Sequence, residues 1–274
     1  MSTRWLLVAG LALGYLPTFA WMWASWHFRD AYWAHAPLVV LFAVVWLVLQ
    51  RSRYAEPPAR IDARGWWLLG PGIALRLVAA VLGIDSLAAL SLVLSVPGTV
   101  WVAFGPARLV RSLPVLGLLP FVIPTPLVVT SQLAAGMKEF ATHAGLWLAR
   151  SGGLDVVREG AEIRVAGRPE TMLVAAPCSG LRSLVALTTL GYGLAFFTGS
   201  QRGPRRWLLL AAAAPVAVLT NVVRIAGLCW LAAWQGVPFA TGTGHDVLNG
   251  AVWLVDLAVL LGIDRLLSGR RAER

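Results

Sequence analysis

Apolar runs of about 18 residues or more alternate with short polar connections along this chain, the pattern of a protein that crosses a membrane repeatedly. The runs predict eight spans, approximately 5 to 26, 33 to 50, 66 to 83, 86 to 104, 113 to 133, 180 to 199, 207 to 230 and 246 to 264. Between the fifth and sixth the pattern changes. Gln132 to Arg150 reads as an amphipathic helix on the membrane surface, with Leu133, Phe140, Leu146 and Trp147 at the interface. After Ser151-Gly152-Gly153, the segments Asp155-Val156-Val157, Glu162-Ile163-Arg164-Val165 and Thr171-Met172-Leu173-Val174, with Gly160 and Gly167 at turns, predict a small β hairpin or meander. That element is either a connector or the wall of a cleft over the next helix. The expected fold class is an all-α polytopic membrane protein of about eight transmembrane helices, with this insertion before the sixth.

Composition sharpens the picture. Of 274 residues, 58% are hydrophobic and only 13% charged, against roughly 25% charged in soluble domains. The net charge of +10 raises nucleic acid as a partner, but the arginines sit in clusters between apolar runs, as orientation signals do. No nucleic-acid binding is expected. Arg4; Arg51, Arg53, Arg60 and Arg64; Arg108 and Arg111; Arg202, Arg205 and Arg206; and Arg265, Arg270, Arg271 and Arg274 all fall on one side of an eight-span arrangement. The positive-inside rule makes that side cytoplasmic and puts both termini there. The first run is read as a retained helix, since it is long and lacks a small-residue cleavage site. The chain is expected to be one integral-membrane domain, 1 to 274, with a four-helix part from 1 to 112, a core from 113 to 264 carrying the outer insertion 134 to 177, and a basic cytoplasmic tail from 265 to 274.

Candidate chemistry collects on the opposite side. Cys178 stands in Pro177-Cys178-Ser179-Gly180-Leu181-Arg182 at the start of the sixth span, with Arg182 one helical turn on. The seventh span runs outward and places Asn221 and Arg224 toward its outer end on a common face, and the eighth begins at His245. Thiol, guanidinium and imidazole thus reach one membrane depth. A thiol at a helix start near cations is biased toward thiolate, the attacking species. His245 could take and return a proton, Arg224 could stabilise thiolate or oxyanion, and Arg182 could share that task or bind substrate. Plainer readings stand beside these: a membrane cysteine packs, an arginine at a span end snorkels, and His245 begins a helix. Cys229 is assigned a packing role. Two cysteines form no disulfide framework or metal site, so neither metal nor cofactor is expected. His27 and His35, near Trp26 and Trp33, read as interface anchors. Arg76 and Asp256 lie inside spans, where charge is costly; a pair between them is one solution.

At these residues the chain resembles the exosortase and archaeosortase family of membrane cysteine transpeptidases. The resemblance rests on Pro177 to Arg182, on Asn221-Val222-Val223-Arg224 and on His245 after a Gly-rich loop, with Ile123-Pro124-Thr125-Pro126 and Glu159-Gly160-Ala161-Glu162-Ile163 also similar. It covers about 120 to 264 well and the first four spans loosely. It implies Cys178 as nucleophile, with Arg224 and His245 at the other catalytic positions and Arg182 and Asn221 supporting or binding substrate. It also implies cleavage of C-terminal sorting signals, made of a short motif, a transmembrane helix and a basic tail, on secreted proteins at the outer face of the bacterial inner membrane. Where common exosortases carry a Tyr-Ser-His-Gly-like stretch, this chain has Tyr32-Trp33-Ala34-His35-Ala36-Pro37. The alternative from another class is a non-catalytic transporter or assembly subunit for exopolysaccharide export, with Arg182 and Arg224 lining an anionic path.

Overall fold

Glycine and proline decide where the long apolar runs bend or stop. The computed structural model describes residues 3–28, 31–55, 60–173, 179–198 and 203–269, and its chain divides into two compact units, residues 1–127 and 128–274.

The first unit holds α1 (Thr3–Gly14), α2 (Leu16–His27), α3 (Ala36–Leu49), α4 (Arg51–Ala55), α5 (Trp66–Leu82), α6 (Asp85–Leu90), α7 (Leu92–Phe104), α8 (Pro106–Leu116) and α9 (Leu119–Val122). The expected first span is bent by 52° between α1 and α2, where Pro17 opens the second helix and withholds an N–H from the ladder. Helices α5 and α7 approach closely because Gly72 faces Ser95 and Gly98 faces Leu69; a methyl group on either glycine would collide with the opposite backbone. The bend is pinned to the start of α7 through the Tyr15 hydroxyl, hydrogen-bonded to Ser91 Oγ at 2.6 Å and Ser95 Oγ at 2.7 Å. One residue expected as an interface anchor, His35, and the tryptophan near it do other work. Trp33 is buried, and His35, at the N-cap of α3, hydrogen-bonds the Phe121 backbone. The Trp26 indole donates to the Val122 carbonyl at 2.8 Å, so this aromatic cluster holds the end of α9.

The second unit contains all but the first residue of α10 (Leu127–Ser151), three strands, then α11 (Leu181–Phe197), α12 (Pro204–Gln235), α13 (Val237–Thr241) and α14 (Thr243–Gly269). The expected fifth span, 113 to 133, is not one helix. Pro124 and Pro126 cannot donate to a helical ladder and push their predecessors toward extended backbone; Ile123 is extended, and α10 starts afresh at Leu127. That helix absorbs both the end of the expected span and the expected surface helix. Leu133, Phe140 and Trp147, spaced by two turns, form an exposed apolar stripe, whereas Leu146 is buried, contrary to expectation. The opposite face packs on α12 through small residues: a methyl on Gly145 would come within 2.8 Å of Ile225 and 3.2 Å of the Val222 carbonyl.

Strands β1 (Val156–Glu159), β2 (Glu162–Val165) and β3 (Thr171–Leu173) form an antiparallel meander in the order β1-β2-β3, with Arg158 opposite Ile163 and Ile163 opposite Met172. Alternation puts Val156, Ile163, Val165 and Met172 on one face, which shares a core with Ile225, Leu228, Cys229 and Ala232 of α12. The meander is therefore more than a connector, and it packs on α12. Charges fasten it: Arg158 makes a bidentate pair with Glu139 on α10 at 2.6 and 2.7 Å, Arg150 Nε donates to the Val156 carbonyl at 2.9 Å, and Arg168 donates to the Ala233 carbonyl near the end of α12. The Arg164 guanidinium holds the Glu159 carboxyl below the usual carboxylate range. The expected last residue of β3, Val174, lies outside the described residues.

Among the described residues, four helical stretches are long and apolar enough to cross a membrane alone: Ala63–Leu82, Asp85–Phe104, Pro204–Gln235 and Thr243–Ser268. The number becomes six if each of two bent pairs, Thr3–Gly14 with Leu16–His27 and Pro106–Val122 with Leu127–Ser151, counts once. Helices α3 and α11 are apolar but only 14 and 17 residues long. The eight expected spans are thus four to six by this measure, because breaks at residues 15 and 123–126 divide two runs and two others fall short of a span's usual length.

Candidate active site

The motif that carries the expected nucleophile enters the structure at its second half. Cys178 lies outside the described residues, and the chain resumes at Ser179. Ser179 is buried, its Oγ accepting from the Leu181 N–H at 3.3 Å. Gly180 has a φ of 78° and caps α11. It is also lodged against α12: a methyl there would stand 2.6 Å from Asn221 Nδ2 and 2.7 Å from Asn221 Cγ. Only glycine meets both the left-handed backbone and the close approach.

Asn221 and Arg224 are three residues apart on α12 and share a face. Both are buried, Arg224 at 4% exposure. The Arg224 Nη2 donates to Asn221 Oδ1, and Nη1 donates to Asn249 Oδ1 on α14 at 3.0 Å. A planar fork with donors on both arms is the group that can bridge two such acceptors. Because these partners are neutral amides, they orient the guanidinium without cancelling its charge. Asn249 lies one turn after His245 on α14, which puts the two side chains on one face about 6 Å apart. The His245 backbone N–H bonds the Gly242 carbonyl at 3.0 Å, starting the helix, and its ring is 27% exposed with Nδ1 3.4 Å from Asp246 Oδ1.

A line of contacts therefore runs from Gly180, two residues after the cysteine, through Asn221 and Arg224 to Asn249 and the turn that bears His245. Arg182 sits half-buried in the first turn of α11. Sequence reading missed Asn249, although its place four residues after His245 was a signal. It also left Asp256 unexplained. Asp256 is fully buried two turns beyond Asn249, beside Thr220 and within electrostatic reach of Arg224, so its cationic neighbour is Arg224. Cys229 is a fully buried free thiol in the core shared with the meander. Among the described residues no group of three His, Cys, Asp or Glu is placed to hold a metal ion.

The Gly180 contact gives a direct test. Gly180→Ala is expected to destabilise the detergent-solubilised chain by about 3 kcal/mol, adding left-handed strain to overpacking. Thermal unfolding measures this, and an unchanged melting temperature would show that Asn221 does not pack against position 180.

No curated protein and no solved structure matches the chain. A family model described as transmembrane exosortase (Exosortase_EpsH) matches residues 5–262, including the first four spans, where the motifs alone gave little. A match over nearly the whole length, on a chain built from apolar helices, makes this membrane protein a member of the transmembrane exosortase family.

Proposed function

We propose that the chain is a membrane cysteine transpeptidase that cleaves C-terminal sorting signals through a thioester. The observation that carries this reading is the contact line from Gly180 through Asn221 and Arg224 to Asn249. It supports convergence of three separate segments, each bearing one group that acyl transfer needs. The Cys178 thiolate attacks the scissile carbonyl carbon, forming a C–S bond and an oxyanion that the Arg224 guanidinium stabilises. His245, partly exposed beside Asp246, gives its proton to the departing amine as the C–N bond breaks. An acceptor nucleophile, or water, then attacks the thioester and releases the thiol. Arg182 and Asn221 support this array, Arg182 by contacting substrate and Asn221 by fixing Arg224.

The arginine clusters between spans support a bacterial inner-membrane placement with both termini cytoplasmic and the site outside. Substrates are secreted proteins ending in a motif, a transmembrane helix and a basic tail; the helix shares the bilayer with the enzyme and presents the motif at the interface. An anionic export path lined by Arg182 and Arg224 fits less well, because it gives no role to the His245 turn that Asn249 ties to Arg224.

Acid-quenched membranes co-expressing the chain and a tail-bearing substrate test the proposal. Mass spectrometry is expected to find the Cys178 peptide carrying an acyl adduct that neutral hydroxylamine removes. Continued processing with the adduct on another residue, or with none, would overturn it.

A further inference from the structure

Arg76 has no place in the chemistry above. It sits in α5, six residues or roughly 9 Å before the helix end at Leu82, inside one of the apolar stretches long enough to cross a membrane. Its guanidinium lies over the Tyr15 ring, 5.6 Å from the centroid. The Tyr15 hydroxyl is tied to Ser91 and Ser95, so the ring is a fixed platform. Among the described residues Arg76 has no hydrogen bond and no carboxylate partner, and its Nε is shielded from solvent. A cation with five donors in hydrocarbon surroundings is costly until an anion meets it.

The space beside it is suited to such an anion with a chain attached. Arg76 and Tyr15 border a cavity of about 600 Å³ within the first unit, walled by Leu6, Gly10, Leu69 and Ile73 and overwhelmingly apolar. That volume lies within the usual range for small-molecule sites, roughly 300–1,000 Å³. The trough extends from Arg76 to Trp66, ten residues or about 15 Å along α5. Thr99, which also lines it, has a buried hydroxyl without a partner. Thr188 and Thr220 instead turn their hydroxyls back to the carbonyls four residues earlier, at 2.6 and 2.9 Å. Thr99 is therefore a second donor in the lining.

We propose that this cavity binds an anionic phospholipid, its phosphate on the Arg76 fork and an acyl chain along α1 and α5. Guanidinium matches phosphate in shape and charge, and a net-negative headgroup outcompetes a zwitterionic one because among the described residues no carboxylate shares the cation. The site is separate from the Cys178 chemistry and does not depend on it.

The full-length chain in a neutral maltoside detergent, analysed by native mass spectrometry with dioleoyl phosphatidylglycerol or dioleoyl phosphatidylcholine, tests the proposal. Wild type is expected to retain phosphatidylglycerol roughly tenfold better than phosphatidylcholine. Arg76→Leu should abolish the preference and Arg76→Lys keep part of it. Gly10→Leu keeps the charge but puts bulk at a lining position where an added methyl meets nothing within 4 Å, so it should weaken retention of both lipids. Excess inorganic phosphate is expected to leave the lipid in place. Equal retention of the two lipids by wild type, unchanged selectivity in Arg76→Leu, or displacement by inorganic phosphate alone would each overturn the assignment.

Discussion

Processing of a tagged tail-bearing substrate is expected to fall by at least about a thousandfold in Cys178→Ala, to the limit of detection, because removal of a covalent nucleophile leaves only binding and electrostatics. The same cell should accumulate the uncleaved precursor bound to the variant. Cys229→Ala is the matched control. Cys229 is a fully buried thiol in the core with Ile163 and Ile225, so its loss leaves a small cavity and costs on the order of 1 kcal/mol of stability with little change in rate. Pulse-chase labelling with immunoblotting of precursor and product separates the two. If Cys178→Ala processes normally, the thioester chemistry is wrong. If Cys229→Ala is the inactive variant and Cys178→Ala the active one, the nucleophile has been assigned to the wrong sulfur.

Much of the frame behind that test was legible in the residues themselves. The cores of the third, seventh and eighth spans follow from long apolar runs with few polar interruptions, and Gly160 and Gly167 mark turns of the meander. Hydropathy could not show that Pro124 and Pro126 end one helix and start another, because an apolar window averages over proline, which breaks the ladder at this pair yet is carried inside α5 at Pro71 and α12 at Pro215. Nor could it assign the faces of α10. Leu133, Phe140 and Trp147 face outward as an amphipathic reading requires, but Leu146, one residue from Trp147, turns inward beside Gly145 and Ala149. Trp33 stands where an interfacial aromatic belt was expected and is core, a distinction that depends on neighbours distant in sequence. At the site, reactive side chains drew attention while amides did not. Asn249 bears no chemistry of its own, and its role became visible only when the Arg224 fork was found between it and Asn221.

That fork is the basis of the second large effect. Arg224→Lys keeps the charge but is expected to reduce the processing rate by about 10² to 10³-fold, the usual cost of losing a preorganised donor to a developing oxyanion. The reason is geometric: the two arms of Arg224 reach Asn221 on its own helix and Asn249 on α14, and a single ammonium nitrogen cannot hold both in the plane that aims the cation. A merely structural arginine would predict that Asn249→Ala and Arg224→Lys lose turnover only in step with thermal stability. The expected result for Arg224→Lys is a loss of rate far larger than the roughly 1–3 kcal/mol of stability lost by leaving one buried amide unpaired accounts for, and for Asn249→Ala a smaller loss of rate. Alkylation of Cys178 by iodoacetamide then locates the role. If Arg224 stabilises the thiolate, alkylation slows along with processing in Arg224→Lys; if it acts on the oxyanion alone, alkylation continues at the wild-type rate while processing falls. Processing at the wild-type rate in Arg224→Lys would remove this guanidinium from the mechanism and leave its two amide contacts as packing.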